Sequence, residues 1–104
     1  MTFDAHATGP VHSEIDDPDF RGLLVEFVTE IPARRQGLLD AHREQDSAAL
    51  RTRAHQLKGS GGGYGFPQLS TLAAELERAC DAHDPARIVE SLDALVDLLN
   101  RIAV

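Results

Sequence analysis

Residues 46–66 read DSAALRTRAHQLKGSGGGYGF. Apolar or small residues recur in this stretch at steps of four, three and four, which is the spacing of one face of an α-helix. An aspartate that suits a helix N-cap precedes them, and a run of glycines follows. We therefore predict a helix that begins near Asp46, buries one face and runs into the glycine-rich segment 59–65. Its inward-facing positions are Leu50, Ala54, Leu57 and Gly61.

Three more helices are predicted on either side of this stretch. Each begins with a proline at the first helical position, after Asp17, Phe66 and Asp84. Each then carries apolar residues at helical spacing. The three stripes are Phe20, Leu24, Phe27, Ile31, Leu38 and Ala41; then Leu69, Leu72, Leu76 and Cys80; then Ile88, Leu92, Leu95, Leu99 and Ile102.

No segment shows the alternation of a β-strand, and the turns between the helices are short. These features predict an all-α protein, an antiparallel four-helix bundle. Pro32 interrupts the first stripe and should kink the first helix or split it in two. Residues 1–15 are polar, contain Gly9-Pro10 and have no periodicity. We expect a flexible lead-in over 1–15 and the bundle over 16–104.

The composition and charge of the chain exclude several classes of function. A net charge of -7 and a pI near 5.0 argue against nucleic acid and against an anionic membrane surface as partners. The N-terminus has no secretory signal, and no apolar run is long enough to span a membrane. The single cysteine allows no intrachain disulfide. We expect a cytoplasmic protein, and the initiating Met1 favours a separate protein over a piece of a larger one.

The predicted second helix carries a histidine on its outer face. His55 lies roughly 130° around the helix from the inward stripe. Its neighbours on that face are Arg51, Lys58, Gly59 and Gly62. Histidine is one of the side chains that form covalent intermediates, and Lys58 is placed to stabilise an anionic group on the ring. A solvated histidine with no function is the competing interpretation.

The glycines on this helix need an explanation. If Gly59, Gly61 and Gly62 are all helical, they cost about 3 kcal/mol relative to alanine, a large share of a typical stability of about 5–15 kcal/mol. Close approach of another surface would account for Gly59 and Gly62, and close helix packing for the inward Gly61. Gly63 and Gly65 fit a helix end and turn, and a simple C-cap remains the alternative for the whole run.

A family resemblance adds to this interpretation. Residues 54–60, AHQLKGS, resemble the signature of the histidine-containing phosphotransfer (HPt) domain, in which the histidine is followed by an apolar residue, lysine, glycine and a small residue. Residues 63–66, GYGF, resemble the segment that closes the active helix in that family. The stretch 17–42 resembles its first helix, and Leu72, Leu76, Glu77 and Cys80 fit its third.

The resemblance implies a phosphorelay intermediate. His55 would be the phosphoacceptor, Lys58 would steady the phosphoryl group, and Gly59 and Gly62, with Arg51, would meet the partner. The partners would be response-regulator receiver domains, a sensor histidine kinase or both. The chain would be a monomeric phosphocarrier without kinase activity and without a cofactor of its own, because the receiver supplies Mg²⁺.

Glu77 is a further candidate. The glycine-rich turn and the following Leu-Glu resemble the phosphotransfer domain of chemotaxis histidine kinases, in which a glutamate of the next helix holds the other ring nitrogen of the histidine. Glu77 falls at that place. The alternative interpretation is a surface glutamate on a helix, without a functional role. An acceptor carboxylate would fix the tautomer of the ring.

Two functions other than a phosphocarrier remain as alternatives. One is an HPt-like bundle that binds a receiver or kinase without being phosphorylated. The other is a metal-binding bundle built on Cys80 and His83, although Cys80 on an apolar stripe is better explained as a buried structural residue. The glycine run is neither a P-loop nor a dinucleotide fingerprint, so no nucleotide site and no metal site are predicted.

Overall fold

The computed structural model describes residues 9–104 as a bundle of four α-helices. After a short 3-10 helix at Pro18–Phe20, the helices are α1 (Arg21–Arg43), α2 (Ser47–Gly63), α3 (Pro67–Asp81) and α4 (Pro85–Arg101). Within these residues there is no β-strand, which confirms the all-α antiparallel bundle. Of the helices in this range, none has both the length and the apolar character needed to cross a membrane.

The turns between the helices follow from the sequence. Asp46 and Asp84 cap α2 and α4, and their carboxylates accept hydrogen bonds from the backbone N–H groups of Ala49, at 3.0 Å, and Arg87, at 3.2 Å. The residue before each cap, Gln45 or His83, has a positive φ of 57° or 52°. This left-handed residue ends the preceding helix and reverses the chain within a few residues, so consecutive helices run antiparallel.

The core is formed by the predicted stripes. Buried leucines come from all four helices, and α3 packs between α2 and α4. Tyr64, at the end of α2, stacks on Phe27 of α1 with ring centroids 4.3 Å apart and an interplanar angle of 7°. This contact holds the C-terminal end of α2 against α1. The inward-facing residues of α2 fix its rotation about its axis. They are all buried: Leu50, Ala54, Leu57 and Gly61.

Pro32 does not split the first helix. The α1 helix runs without a break from Arg21 to Arg43, so of the two outcomes predicted at Pro32 the split is excluded. Proline removes one backbone hydrogen bond, here to the carbonyl of Val28. Pro32 is exposed and Val28 is only half-buried, so water can replace that bond. The buried residues Ile31 and Leu38 hold the two halves of the helix on the same core.

Part of the segment 1–15, which we expected to be a flexible lead-in, contacts the bundle. Val11 forms an isolated parallel bridge with Ile102, with N–H···O distances of 2.7 and 2.9 Å to the backbone on either side of Ile102. The Ser13 hydroxyl donates to the Tyr64 carbonyl at 2.6 Å, and the N–H of Glu14 donates to the Gly65 carbonyl at 2.8 Å. Residues 11–15 therefore belong to the bundle, and residues 1–8 lie outside the described residues.

Candidate functional site

His55 lies on the outer face of α2, as predicted. Its side chain is 61% exposed, and one ring nitrogen, Nδ1, is 3.0 Å from Oε2 of Glu77 on α3. The inward stripe of α2 sets this orientation, because the residues on either side of the histidine in that stripe, Ala54 and Leu57, are buried. The helix thus presents one edge of the ring to α3 and leaves the rest open to solvent.

Glu77 is a buried carboxylate. Its side chain is only 9% exposed, and its second oxygen, Oε1, is 2.8 Å from Nζ of Lys58. The hydrogen bond from Lys58 holds the pKa of Glu77 below its usual value, with a further contribution from His55, although burial acts in the opposite direction. The carboxylate is therefore ionised at neutral pH. The two candidate residues of α2, His55 and Lys58, contact its two oxygens separately.

Arg51 lies one turn before His55 and points towards α3. Its Nη2 atom is 3.2 Å from Oε2 of Glu77, the oxygen that also contacts His55. Its Nε atom is 2.5 Å from Oδ1 of Asp81, one turn further along α3. The hydrogen bond to Asp81 raises the pKa of the Arg51 guanidinium above its already high ordinary value. In this structure Arg51 belongs to the same ionic network as His55, rather than standing free on the surface.

The glycines of α2 fall into two groups. A Cβ on Gly61 would lie 2.8 Å from the backbone nitrogen of Ser70, so α3 approaches the backbone of α2 closely at that point. The Ser70 hydroxyl donates to the Lys58 carbonyl at 2.6 Å across the same contact. Gly59 and Gly62 are exposed instead; a Cβ on Gly59 would meet nothing within 4 Å, and one on Gly62 only the Ser70 hydroxyl at 3.6 Å.

The structure therefore brings the sequence-predicted residues together on one surface. His55, Lys58 and Glu77 are in contact, Arg51 joins them, and Gly59 and Gly62 continue the same exposed face of α2. Sequence reasoning missed Asp81. A signal was available: Asp81 lies four residues after Glu77, so it shares the α3 face that meets α2, and an antiparallel partner helix places it beside Arg51.

The two residues of the alternative metal site, Cys80 and His83, differ in their exposure to solvent. Cys80 is buried in the core, as the prediction of a structural cysteine requires, and burial raises the pKa of its thiol. His83 is exposed in the turn between α3 and α4. Within the described range 9–104, no group of three or more histidine, cysteine, aspartate or glutamate side chains is arranged to hold a metal ion.

Fold and site together define a class of protein: a four-helix bundle that presents an exposed histidine, oriented by a buried carboxylate, beside a lysine. Comparison with protein families gives the same answer, because the profile described as Hpt domain matches residues 22–103. The chain belongs to the Hpt domain family. Searches of curated proteins and of solved structures gave no significant match. Hpt domains take part in histidine phosphotransfer in two-component systems; they are phosphocarrier modules that interact with kinases and response regulators.

Proposed function

We propose that this protein is a phosphorelay intermediate that accepts a phosphoryl group on Nε2 of His55 and exchanges it with the aspartate of a response-regulator receiver domain. The contact between Nδ1 of His55 and Oε2 of Glu77, 3.0 Å long, carries the proposal. An ionised carboxylate can only accept hydrogen bonds, so Nδ1 holds the proton of the neutral ring. Nε2 then has the free lone pair, on a side chain that is 61% exposed.

The transfer step uses that lone pair. Nε2 attacks the phosphorus of the receiver's aspartyl phosphate and forms an N–P bond. The P–O bond to the aspartate breaks, and its electron pair leaves with the aspartate as a carboxylate. The ring keeps its proton on Nδ1 and gains a positive charge. Glu77, already hydrogen-bonded to that N–H, stabilises the charge, and the reverse reaction returns the phosphoryl group.

Two further features of the site support this role. The Lys58 ammonium, 2.8 Å from Glu77 and 41% exposed, lies one turn from His55, where it can bind the oxygens of a phosphoryl group. The exposed glycines, Gly59 and Gly62, leave the face of α2 beyond His55 free of side chains, so a receiver can approach the ring closely. The Mg²⁺ that the reaction needs would be held by the receiver, and this chain would need no cofactor of its own.

The proposal extends to partners and location. Receiver domains, a sensor histidine kinase or both would exchange phosphate with His55, and the protein would act as a monomer in the cytoplasm. Its described residues include one cysteine, Cys80, which is buried. A reduced thiol in the core is compatible with a reducing compartment.

The proposal is tested by phosphoryl transfer from a labelled receiver. Wild type, His55→Gln and His42→Gln are each incubated with the phosphorylated receiver, and the acid-labile, base-stable label is followed. His42 is an exposed histidine on α1 and serves as the matched control. We expect wild type and His42→Gln to be labelled and His55→Gln to stay unlabelled. Equal labelling of His55→Gln would refute the assignment. Receiver binding without any labelling of wild type would favour the phosphorylation-independent module.

A further inference from the structure

The ionic network around His55 is balanced before phosphorylation. Two carboxylates, Glu77 and Asp81, face two cations, Arg51 and Lys58, and the neutral form of His55 adds no charge. On the proposed function, a phosphoryl group brings two negative charges and leaves one positive charge on the ring. The network then carries a net charge of about -1. How readily the site holds the phosphoryl group therefore depends on these four neighbouring charges.

Arg51 occupies a distinct place in this network. Its guanidinium shares Oε2 of Glu77 with His55, at 3.2 Å and 3.0 Å respectively. The Lys58 ammonium contacts the other oxygen of Glu77, Oε1. Of the two cations, Lys58 is also the one that can turn towards a phosphoryl group on His55. If Lys58 shares its ammonium with the phosphoryl group, Arg51 is the cation that remains on the buried carboxylate of Glu77. Glu77 can then stay ionised and keep its hydrogen bond to the ring.

Asp81 opposes the effect of the Arg51 charge on the site. Its carboxylate contacts Nε of Arg51 at 2.5 Å and Nη2 at 3.5 Å, so it holds the guanidinium towards α3 and adds a negative charge near the site. The side chains of Arg51 and Asp81 are 45% and 54% exposed, so solvent screens this pair more strongly than it screens Glu77. Arg51 and Asp81 thus affect the phosphorylated state with opposite signs.

We infer that the Arg51–Asp81 pair sets the phosphoryl-transfer equilibrium of this protein. Arg51 is a positioning residue that favours the phosphorylated state by holding Glu77 ionised against the ring, and Asp81 restrains Arg51 and opposes that state. This inference rests on the proposed function and assigns Arg51 a role other than contact with the partner. A pair that served only to pack α2 on α3 would behave differently, because loss of either partner would then have the same effect.

The test measures the equilibrium distribution of phosphate between this protein and a receiver, approached from both directions before appreciable hydrolysis. Arg51→Gln should shift it towards the receiver by about tenfold, the effect of losing one charge-assisted hydrogen bond. Asp81→Asn should shift it towards this protein, by about threefold because its charge is screened. Arg51→Lys should recover most of the wild-type value. Arg53→Gln, an equal charge change at an exposed site on the same helix, should leave it unchanged.

Receiver affinity and thermal midpoint are measured for the same variants. Shifts of Arg51→Gln and Asp81→Asn in the same direction, or no shift in either, would overturn the inference. Weaker receiver binding by Arg51→Gln with an unchanged phosphate distribution would also overturn it and make Arg51 a docking residue. In all these cases wild type still exchanges phosphate. Failure of the proposed function is distinct, since wild type itself would then take no label on His55.

Discussion

At the scale of the residue, the site combines an exposed histidine with a buried carboxylate. The side chain of His55 is 61% exposed, whereas that of Glu77 is 9% exposed. A buried carboxylate without partners would take up a proton, because burial disfavours the charged form. Hydrogen bonds from Lys58 and His55 outweigh burial and keep the pKa of Glu77 low. The two residues to which we assign the chemistry, His55 and Lys58, are therefore the same ones that stabilise the buried charge of Glu77.

Glu77 makes the stability of the fold depend on pH. Its folded-state pKa lies below its ordinary value of 4.5, so the ionised carboxylate stabilises the fold above that value. This contribution is lost as the pH falls from the ordinary value towards the folded-state pKa. We expect the free energy of unfolding of Glu77→Gln, measured by urea denaturation, to fall less steeply than that of wild type over this acid range. Glu90→Gln, on the exposed face of α4, is the control and should follow wild type. Parallel curves for wild type and Glu77→Gln would contradict the ion pairing.

At the scale of the element, α2 is a helix with two different uses for glycine. On its inner side Gly61 lets α3 approach, and the Ser70–Lys58 hydrogen bond of 2.6 Å lies across that contact. On its outer side Gly59 and Gly62 face open space. Helix α3 is thereby held close enough to α2 for Glu77 to reach the ring of His55. The glycine run is part of the helix as far as Gly63, and the turn follows at Gly65, where φ is +84°.

The two kinds of glycine should respond oppositely to alanine. Gly59→Ala adds a methyl group in open space within a helix, so it should raise stability by about 0.5–1 kcal/mol. Gly61→Ala gains the same helix propensity but places its Cβ 2.8 Å from the backbone of Ser70. Overpacking of this kind costs about 1–3 kcal/mol, so the net effect should be destabilising. Denaturant unfolding of both variants checks this. Stabilisation by Gly61→Ala would show that the two helices are not in close contact there.

The element starts could be predicted from the sequence, because a proline marks the starts at Pro18, Pro67 and Pro85, and the capping residue Asp46 marks the start of α2. The spacing of Asp81 from Glu77 indicates that Asp81 shares the α3 face that meets α2, but it does not predict the pairing with Arg51. The contact with Asp81 depends on the rotation of two helices about their axes, which the stripe on each helix fixes only approximately. The role of residues 11–15 could not be predicted either. Val11 bonds to the backbone on either side of Ile102, at the far end of the chain, and no local pattern reports such a contact.

At the scale of the whole molecule, one hydrophobic core formed by all four helices fixes the positions of the helices that carry the site. The stripe predicted for α4 is correct at Leu92, Leu95 and Leu99, but Leu98 is buried as well. Helix α4 packs against both α3 and α1, so its buried surface is wider than one stripe. The N-terminal residues 11–15 add a second link, between the end of α4 and the turn after α2.

Truncation of Leu95 in the core should have a large effect on the stability of the fold. This side chain is fully buried, so Leu95→Ala should lower the free energy of unfolding by about 2–5 kcal/mol. Val89 on the same helix is 45% exposed, and Val89→Ala should change it by less than about 0.5 kcal/mol. Chemical denaturation of both variants gives the comparison. A loss at Leu95 no larger than that at Val89 would mean that α4 faces the core with another side.

The central claim is that Nε2 of His55 accepts the phosphoryl group while the Nδ1–H group donates a hydrogen bond to Glu77. Phosphorus–nitrogen couplings in the NMR spectrum of the phosphorylated protein, with ¹⁵N-labelled histidine rings, test it most directly. In the resting protein the His55 ring should be in the Nδ1–H tautomer. After phosphorylation, coupling to phosphorus should appear at Nε2 of His55 and at no other ring nitrogen. Phosphorus on Nδ1 of His55, or on any other histidine, would contradict the account.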